Sequence, residues 1–278
     1  MPTVEKITKQ LKALGNKTAA EHAMRFFKTG PGQYGEGDLF LGIKVPVLRK
    51  IAKEHHDISL DDAIELLHSP LHEVRMLALF IMVLQYKRGE SEASRGEPRG
   101  ILGRDGCPSR PRRPETDRPT FLRDASSRMA SCASSDKTEI YRAYLANTHW
   151  VNNWDLVDGS ATDIVGAHLF ERGRAPLIKL AKSKSLWERR IAIIATFYFI
   201  RRNQFDDTLA IADLLLNDQE DLMHKAVGWM LREVGKRDLK VEEDFLLLRY
   251  KQMPRTLLRY AIEHFPEPKR LSYLNGRL

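Results

Sequence analysis

The amino-acid sequence predicts an all-α protein, an α-solenoid in which antiparallel helix pairs are stacked side by side. Three observations lead to this prediction. Apolar residues recur with the 3.6-residue period of a helix along the chain outside residues 91–135, whereas the alternation typical of strands is rare. The connections between helical segments are short, at roughly two to six residues, so consecutive helices should pack antiparallel. Three of the helix pairs also resemble one another in sequence.

The ends of the predicted helices carry recognisable signals. Ser59 or Asp61 begins the fourth helix, and Pro46 and Pro176 stand in the first turn of two others. Glycines mark helix ends at Gly89, Gly173 and Gly235. In chain order, the predicted helices cover residues 4–14, 19–27, 46–54, 60–68, 72–86, 138–146, 154–170, 176–181, 187–201, 207–216, 222–235, 242–250 and 255–263.

The internal repeat consists of an apolar helix end, a Ser or Asp turn, and a second helix with a basic residue beside small apolar residues. It is visible in IELLHSPLHEVRMLAL from residue 64, LIKLAKSKSLWERRIAI from residue 177 and ADLLLNDQEDLMHKAVGW from residue 212. Two of the turns, at Ser183 and Asp218, are 35 residues apart. A period of this length with two helices is typical of HEAT, armadillo and TPR arrays, and the basic residues favour the HEAT-like kind.

The same period predicts a further repeat near Thr148, once the atypical residues 91–135 are left out of the count. In that repeat we expect Trp154 to stand where Arg75 and Arg189 stand in theirs. The curved stack should present a long concave face, formed by the second helix of each pair.

Residues 91–135 differ in composition from the rest of the chain, which we otherwise predict to be a single domain spanning residues 1–278. No lysine occurs between Lys87 and Lys137, while arginine, proline, serine and glycine are frequent. Because hydrophobic periodicity is lost, this segment cannot bury enough apolar surface to offset its ordering entropy, and we predict a disordered insertion between two helices. An Arg-rich tether for nucleic acid and a segment of foreign reading frame are the alternative interpretations.

Composition limits the classes of function. The 278 residues include 45 Lys and Arg against 37 Asp and Glu, and this net charge of +8 favours an anionic partner such as nucleic acid, although it also serves solubility. No apolar run is long enough for a membrane helix, and the N-terminal stretch lacks the apolar core of a signal peptide. Two cysteines, Cys107 and Cys132, fit neither a disulfide framework nor a zinc motif, so we expect a cytoplasmic protein.

The sequence also lacks motifs for cofactor or nucleophile chemistry. Residues 30–38 are glycine-rich but lack the lysine and the flanking strand of a phosphate-binding loop, so these glycines should shape a connection between helices. The adjacent His55 and His56 have no third metal ligand in sequence, and neither an HExxH nor a GxSxG motif is present. We therefore expect neither a metal ion nor a cofactor.

One set of residues is unusual for a purely structural surface. Trp154 and Asp158 are four residues apart and share one helical face. Aligned repeats would bring Arg189 or Arg190 alongside them, and Trp229 as well. Taken singly, a tryptophan is usually part of a core, an aspartate can cap a helix and an arginine is usually solvated. Taken together, these side chains predict a site of chemistry in the concave face.

These residues lie in sequence blocks that resemble the DNA alkylation repair family, in particular its AlkD-type DNA glycosylases built from HEAT-like repeats. The blocks are YGEGDLFLGIKVPVLRKIAK, NNWDLVDGSA, WERRIAI, HKAVGWMLREVGK and MPRTLLRYAIEHF, in that order. The resemblance covers nearly the whole chain outside residues 91–135. It implies an enzyme, a DNA N-glycosylase that excises positively charged N3- and N7-alkylated purines from duplex DNA without a base-flipping pocket.

The resemblance also implies roles for individual residues. Asp158 matches the catalytic carboxylate, and Trp154 and Trp229 match the aromatic residues that flank the deoxyribose of the lesion. Arg190, in preference to Arg189, matches an arginine near the backbone phosphate.

Further DNA contacts are expected along the groove. Tyr34 is the nearest candidate for a backbone-contacting tyrosine of the family, although it stands one residue out of register. The basic residues Arg75, Lys225 and Arg232 would neutralise phosphates and make binding salt-dependent.

The implied chemistry needs few groups. An alkylated purine already carries a positive charge, so the base can leave without a general acid, and one carboxylate can stabilise the oxocarbenium-like sugar and position water. Sugar hydrolases, by contrast, need two carboxylates because their leaving group is poor.

We expect a monomer that binds double-stranded DNA with alkylated bases. The alternatives are a HEAT-like DNA-structure-binding protein without catalysis and a protein–protein scaffold, the commonest use of α-solenoids.

Overall fold

The computed structural model describes residues 3–93 and 137–277, and across both ranges the chain is helical, with no β-strand. A π-helical turn at Thr162–Gly166 and two 3-10 turns, Thr148–Trp150 and Ile262–His264, interrupt the α-helices. The α-helices are α1 Thr3–Ala13, α2 Lys17–Phe26, α3 Val45–Glu54, α4 Leu60–Leu67, α5 His72–Ala93, α6 Lys137–Ala146, α7 Trp154–Asp158, α8 Ala167–Leu169, α9 Ala175–Ala181, α10 Leu186–Ala195, α11 Phe197–Ile200, α12 Asp206–Leu214, α13 Asp221–Gly235, α14 Leu239–Leu247, α15 Arg255–Ala261 and α16 Glu267–Leu274.

The helices pack in consecutive pairs. Helix α4 lies against α5, α9 against α10, and α12 against α13. The second helices of the pairs form a continuous row in which α3 contacts α5, α5 contacts α7, α7 contacts α10, α10 contacts α13, and α13 contacts α15. Stacked pairs with one shared layer of second helices are the arrangement of an α-solenoid, as the sequence predicts. Among the described helices, none is both long and apolar enough to cross a membrane.

Local sequence accounts for several of the helix starts. Ser59 caps α4 by accepting a hydrogen bond from the backbone N–H of Asp62, and proline occupies the first turn of α3 and α9. Several predictions were wrong. Helix α5 continues past Gly89, the predicted helices over 154–170 and 187–201 are broken after Asp158 and after Ala195, and α16 is absent from the predicted set. The glycine-rich connection before α3 does form a loop, with positive φ at Gly37.

The repeat has a structural signature at the fourth residue of its second helix. In three repeats this residue donates a side-chain hydrogen bond to the carbonyl oxygen six positions earlier, which ties the helix to the preceding turn. The donors are Arg75, Arg189 and His224, at N···O distances of 3.0, 3.1 and 2.5 Å. The expected equivalence of Trp154 with these arginines is wrong by three residues. Trp154 is the first residue of α7, and the buried Val157 takes the fourth position.

The predicted insertion overlaps the described residues only at 91–93, where α5 ends. Its remaining residues, together with Cys107 and Cys132, lie outside the described part of the chain. On both sides of that gap the fold is continuous, because α5 packs against α6 and α7. The site described below therefore depends on the described ranges alone.

Candidate functional site

A half-open groove of about 800 Å³ runs along the second helices α7, α10, α13 and α15. Trp154 and Asp158 enter it from α7, Arg190 from α10, and Trp229 from α13. The structure therefore brings together four side chains that the sequence predicts as neighbours. The end of α2, with Phe26, and the connection after it also line the groove.

Three of the groove residues occupy the same position in successive repeats. Asp158, Arg190 and Lys225 are each the fifth residue of their helix, and all three line the groove. The fourth residue of each second helix points into the array, so the fifth, turned by about 100°, faces the groove. The repeat thereby places a carboxylate, a guanidinium and an ammonium group in one row.

Asp158 and Arg190 form a two-pronged ion pair at the floor of the groove. Arg190 Nε and Nη2 donate to the two oxygens of Asp158 at 2.9 and 2.8 Å, and Nη1 donates to the carbonyl oxygen of Leu222 at 2.7 Å. Burial raises the pKa of Asp158, the charge and hydrogen bonds of Arg190 oppose the rise, and nearby Asp155 adds to it. The carboxylate is thus fixed in orientation, and its side chain remains 18% exposed toward the groove.

Trp154 is held in the groove by aromatic packing. Its ring stacks on Phe27, with centroids 5.3 Å apart, and meets the edge of Phe26 at 6.0 Å. Its backbone N–H donates to the Asn153 side chain, which caps α7. Tyr34 lies in the same groove, where its pKa is raised by burial and lowered by a hydrogen bond with Trp154, the rise prevailing. The aromatic residues thus form one rigid wall.

Trp229 lines the groove from α13. Its Nε1 donates to Glu233 at 3.3 Å, and its ring lies 5.9 Å from that of Phe197. The preceding Gly228 lets α15 come close, because a Cβ there would meet the Tyr260 Cβ at 2.5 Å. Close packing of α13 and α15 therefore fixes the direction in which Trp229 projects.

The predicted phosphate-binding residues divide into two groups. Lys225 and Arg232 line the groove, where they are paired with Asp221 at 2.7 Å and with Glu263. Arg190 also lies in the groove, but it is engaged by Asp158 and its side chain is 6% exposed. The expected contact of Arg190 with a backbone phosphate would therefore require this ion pair to open.

We expected Arg75 and Arg189 to lie along the groove. The structure corrects this expectation, because neither residue lines it. Arg75 is buried and donates to Asp38 at 2.6 Å. Arg189 binds both oxygens of Asp218, at 2.6 and 3.2 Å. Both arginines stand at the fourth position of their helix, where they join the repeat to its own turn. Of the two alternatives Arg189 and Arg190, it is Arg190 that lines the groove.

Two neighbouring cavities contain cationic residues that the sequence does not single out. One, of about 560 Å³, lies on the far side of Asp158 and Trp229, and the other, of about 820 Å³, continues from Arg232 and Tyr260. The cations of the first are Arg49, Lys53, Lys87 and Arg201, and those of the second, besides Arg232, are Arg255, Arg259 and Arg270. In sequence they look like ordinary solvent-facing residues. Arg49 and Arg259, however, are the fifth residues of α3 and α15, the position that faces the groove elsewhere.

Comparisons with known proteins agree with this architecture. A sequence model for a family described as "DNA alkylation repair enzyme" matches residues 7–97 and 123–265. The fold is also similar to a solved structure described as "Predicted DNA alkylation repair enzyme from Enterococcus faecalis". That similarity has a TM-score of 0.59 at 15% sequence identity and covers 91% of this chain and 97% of the other. No curated protein sequence matches the chain. At this identity the solved structure supports the fold alone, while the family match covers most of the chain.

Proposed function

The chain belongs to the DNA alkylation repair enzyme family, with DNA as its partner, and from this membership we propose that it is a DNA N-glycosylase. Its substrates are purines alkylated at N3 or N7 in duplex DNA, which carry a positive charge. The observation that carries the proposal is the carboxylate of Asp158, which Arg190 orients in a half-open groove that Trp154 and Trp229 also line.

The chemistry follows from the charge of the lesion. The bond between C1′ of the deoxyribose and N9 of the purine breaks, and its electron pair passes to the base and cancels the positive charge there. The base therefore leaves without a proton, and C1′ becomes an oxocarbenium centre. Asp158 stabilises this positive charge. Water then adds to C1′, and its proton passes to Asp158 and on to solvent, which leaves an abasic site.

The two tryptophans suit a cationic sugar. An indole face attracts a nearby cation by about 0.5–2 kcal/mol, and Trp154 and Trp229 both line the groove beside Asp158. The half-open shape of the groove supports excision without a base-flipping pocket. Neutral lesions should be poor substrates, since their bases need a proton in order to leave.

Cations beyond the groove support the binding of duplex DNA. Lys225 and Arg232 lie within the groove, and the adjoining cavities extend the cationic surface in both directions along the row of second helices. Phosphates on either side of a lesion at Asp158 would then meet positive charge.

The test measures release of free 7-methylguanine from a duplex that carries one N7-methylguanine, for the wild type and for Asp158→Asn. We expect release by the wild type, and loss by orders of magnitude in the variant, with the helical circular dichroism spectrum retained. The matched control is Asp218→Asn, which removes a carboxylate from the second two-pronged Asp–Arg pair, outside the groove. This control should keep excision. A duplex with hypoxanthine, a neutral lesion, should give no release.

Other outcomes would favour the alternatives. If the wild type released no base but bound duplex DNA tightly, the protein would be a DNA-structure-binding protein without catalysis. If it bound no DNA at moderate salt, the protein–protein scaffold would be favoured. Loss of helical structure in Asp158→Asn equal to its loss of activity would remove the catalytic assignment.

A further inference from the structure

A buried histidine lies directly behind the aromatic wall of the groove. His72, the first residue of α5, is 2% exposed, and each of its ring nitrogens faces a carboxylate. Nδ1 is 3.1 Å from an oxygen of Asp38, and Nε2 is 2.9 Å from an oxygen of Asp155. An ionised carboxylate only accepts hydrogen bonds, so both ring nitrogens must donate. His72 is therefore an imidazolium in this arrangement.

The charges around His72 balance when it carries its second proton. Asp38 also accepts hydrogen bonds from Arg75 at 2.6 Å and from Asn153 at 3.1 Å. Two carboxylates with little solvent contact, Asp38 and Asp155, thus face two cations, Arg75 and His72. Loss of the proton from His72 would leave one negative charge uncompensated in a buried site, which is costly.

The ring of His72 is also the innermost member of an aromatic column that ends at Trp154. His72 stacks on Phe40 at 4.4 Å, Phe40 stacks on Phe27 at 5.0 Å, and Phe27 stacks on Trp154 at 5.3 Å between ring centroids. Asp155 follows Trp154 in the first turn of α7, the five-residue helix that ends with the candidate carboxylate. His72 thus holds Trp154 both through the stacked rings and through the adjoining backbone.

We propose that His72 is a positioning residue of the excision reaction. Bound between Asp38 and Asp155, it fixes the first turn of α7, and with it the place of Trp154 relative to Asp158. The inference rests on the proposed glycosylase function. Displacements of about 1 Å can cost about 100-fold in rate when reacting groups must be aligned. The excision rate should therefore depend on His72 much more than affinity for undamaged DNA does.

The pH dependence follows from the groups that face His72. Burial alone would lower the pKa of His72, but hydrogen bonds to Asp155 and Asp38 raise it above its ordinary value, against the charge of Arg75. The neighbouring Glu73 is turned toward backbone N–H groups of the connection before α3. Because the pKa is raised in the folded state, the contribution of the imidazolium is complete below the unfolded-state pKa. It is lost as pH rises through the folded-state pKa. We therefore expect an alkaline fall in the excision rate.

The test compares His72→Gln with the matched control His68→Gln. His68 also stacks on a tryptophan, Trp150, at 5.3 Å, but its ring bonds to the amide of Asn147 at 2.6 Å. Single-turnover release of 7-methylguanine is measured from about pH 6 to about pH 9, together with the Kd for undamaged duplex. We expect His72→Gln to be about 10- to 100-fold slower at neutral pH, without the alkaline fall and with a Kd within about twofold of wild type. His68→Gln should match the wild type, and a wild-type rate and pH profile in His72→Gln would overturn the inference.

A second variant covers the case in which His72→Gln fails to fold. Asp155→Asn keeps the imidazole ring but removes one of its two carboxylates, so the pKa of His72 should fall and the alkaline limb should move to lower pH. An unmoved limb in this variant would contradict the positioning role.

A readout without catalysis separates this inference from the proposed function. Trp154 ends the column that begins at His72, so its fluorescence should change as His72 titrates, measured as the difference between wild type and Trp154→Phe. If the wild type excised nothing but this emission still titrated, and did not in His72→Gln, the proposed reaction would be wrong while His72 still held Trp154. If excision occurred and neither rate nor emission responded to His72, the positioning role would be refuted.

Discussion

Replacing Asp158 by asparagine removes one negative charge from the groove and little else. The side chain keeps its shape, and its amide oxygen can still accept a hydrogen bond from Arg190, which is also held by the carbonyl oxygen of Leu222. A loss of excision in this variant therefore measures the charge of the carboxylate. Asp158→Ala would mix that loss with a change in packing.

The expected loss of excision rate in Asp158→Asn follows from Coulomb's law. A positive centre about 4 Å from the carboxylate is stabilised by about 4 kcal/mol at an effective dielectric constant of about 20. The intermediate dielectric is appropriate because the side chain of Asp158 is 18% exposed. Since about 1.4 kcal/mol corresponds to a tenfold change in rate, Asp158→Asn should excise about 1000-fold more slowly than wild type.

Arg190 provides a further test of the electrostatic role of Asp158. Its guanidinium lies behind the carboxylate, at 2.9 and 2.8 Å from the two oxygens, so it repels the same positive centre from a greater distance. At about 6 Å and the same dielectric constant, the repulsion is about 3 kcal/mol. The double variant Asp158→Asn, Arg190→Gln should therefore regain most of the lost rate and lie within about tenfold of wild type.

The assay is single-turnover release of 7-methylguanine by wild type, Asp158→Asn and the double variant, each checked by circular dichroism and by its Kd for undamaged duplex. If the double variant were as slow as Asp158→Asn, the electrostatic explanation would be refuted and Asp158 would act mainly through its geometry. A single variant within about tenfold of wild type would remove Asp158 from the chemistry altogether.

Arg190→Gln alone should move the acid limb of the excision rate to higher pH, because Arg190 opposes the rise in the pKa of Asp158 that burial causes, and the carboxylate acts in its ionised form. Rate–pH profiles of the variant and the wild type check this. Arg259→Ala should reduce the slope of log K against log salt by about one, as expected for one lost phosphate contact, while Ala at the exposed Lys184, between α9 and α10, should leave the slope unchanged. Glu242→Gln should stabilise the fold at alkaline pH. Burial raises the pKa of Glu242 to about 8, so the wild type loses stability as pH rises from the unfolded-state pKa toward that value. Urea unfolding should show a gain of about 4 kcal/mol at pH 8 and less than about 1 kcal/mol at pH 5.

The helix pairs are predictable from the sequence because the signals that define them are local. The apolar period, the Ser59 cap and the prolines of the first turns each act within a few residues. The break after Asp158 depends instead on packing between repeats. A Cβ at Gly166, in the π-helical turn, would lie 2.2 Å from the carbonyl oxygen of Ala195, so the chain there adapts to α10. This close contact cannot be predicted from the local sequence.

The residues of the site likewise divide into those that local sequence predicts and those that only packing between repeats brings together. Spacing alone places Trp154 and Asp158 on one face, and both do line the groove. The buried network around His72 is invisible to such spacing, because its carboxylates, Asp38 and Asp155, are 34 and 83 residues away along the chain. Interactions between residues of distant repeats can be predicted once the stacking of the helices is known.

Two adjacent positions of the repeat separate structure from function. The fourth residue of a second helix is turned inward, which explains why the conspicuous basic residues Arg75 and Arg189 hold turns and lie outside the groove lining. The fifth residue is turned toward the groove or a neighbouring cavity in the other second helices, whereas in α5 it is the buried Met76. The fifth residues that line the groove and its neighbouring cavities are Arg49, Asp158, Arg190, Lys225 and Arg259.

In that row, Asp158 is the one carboxylate among cations. A negative charge at this position opposes the binding of a polyanion, so a protein that only bound DNA would bind better without it. Asp158→Asn should accordingly bind undamaged duplex as tightly as wild type or more tightly, while its excision rate falls. A carboxylate that weakens binding to the DNA backbone is useful to this protein if its partner is a positive centre within the DNA, which is what an alkylated purine and the sugar it leaves behind provide.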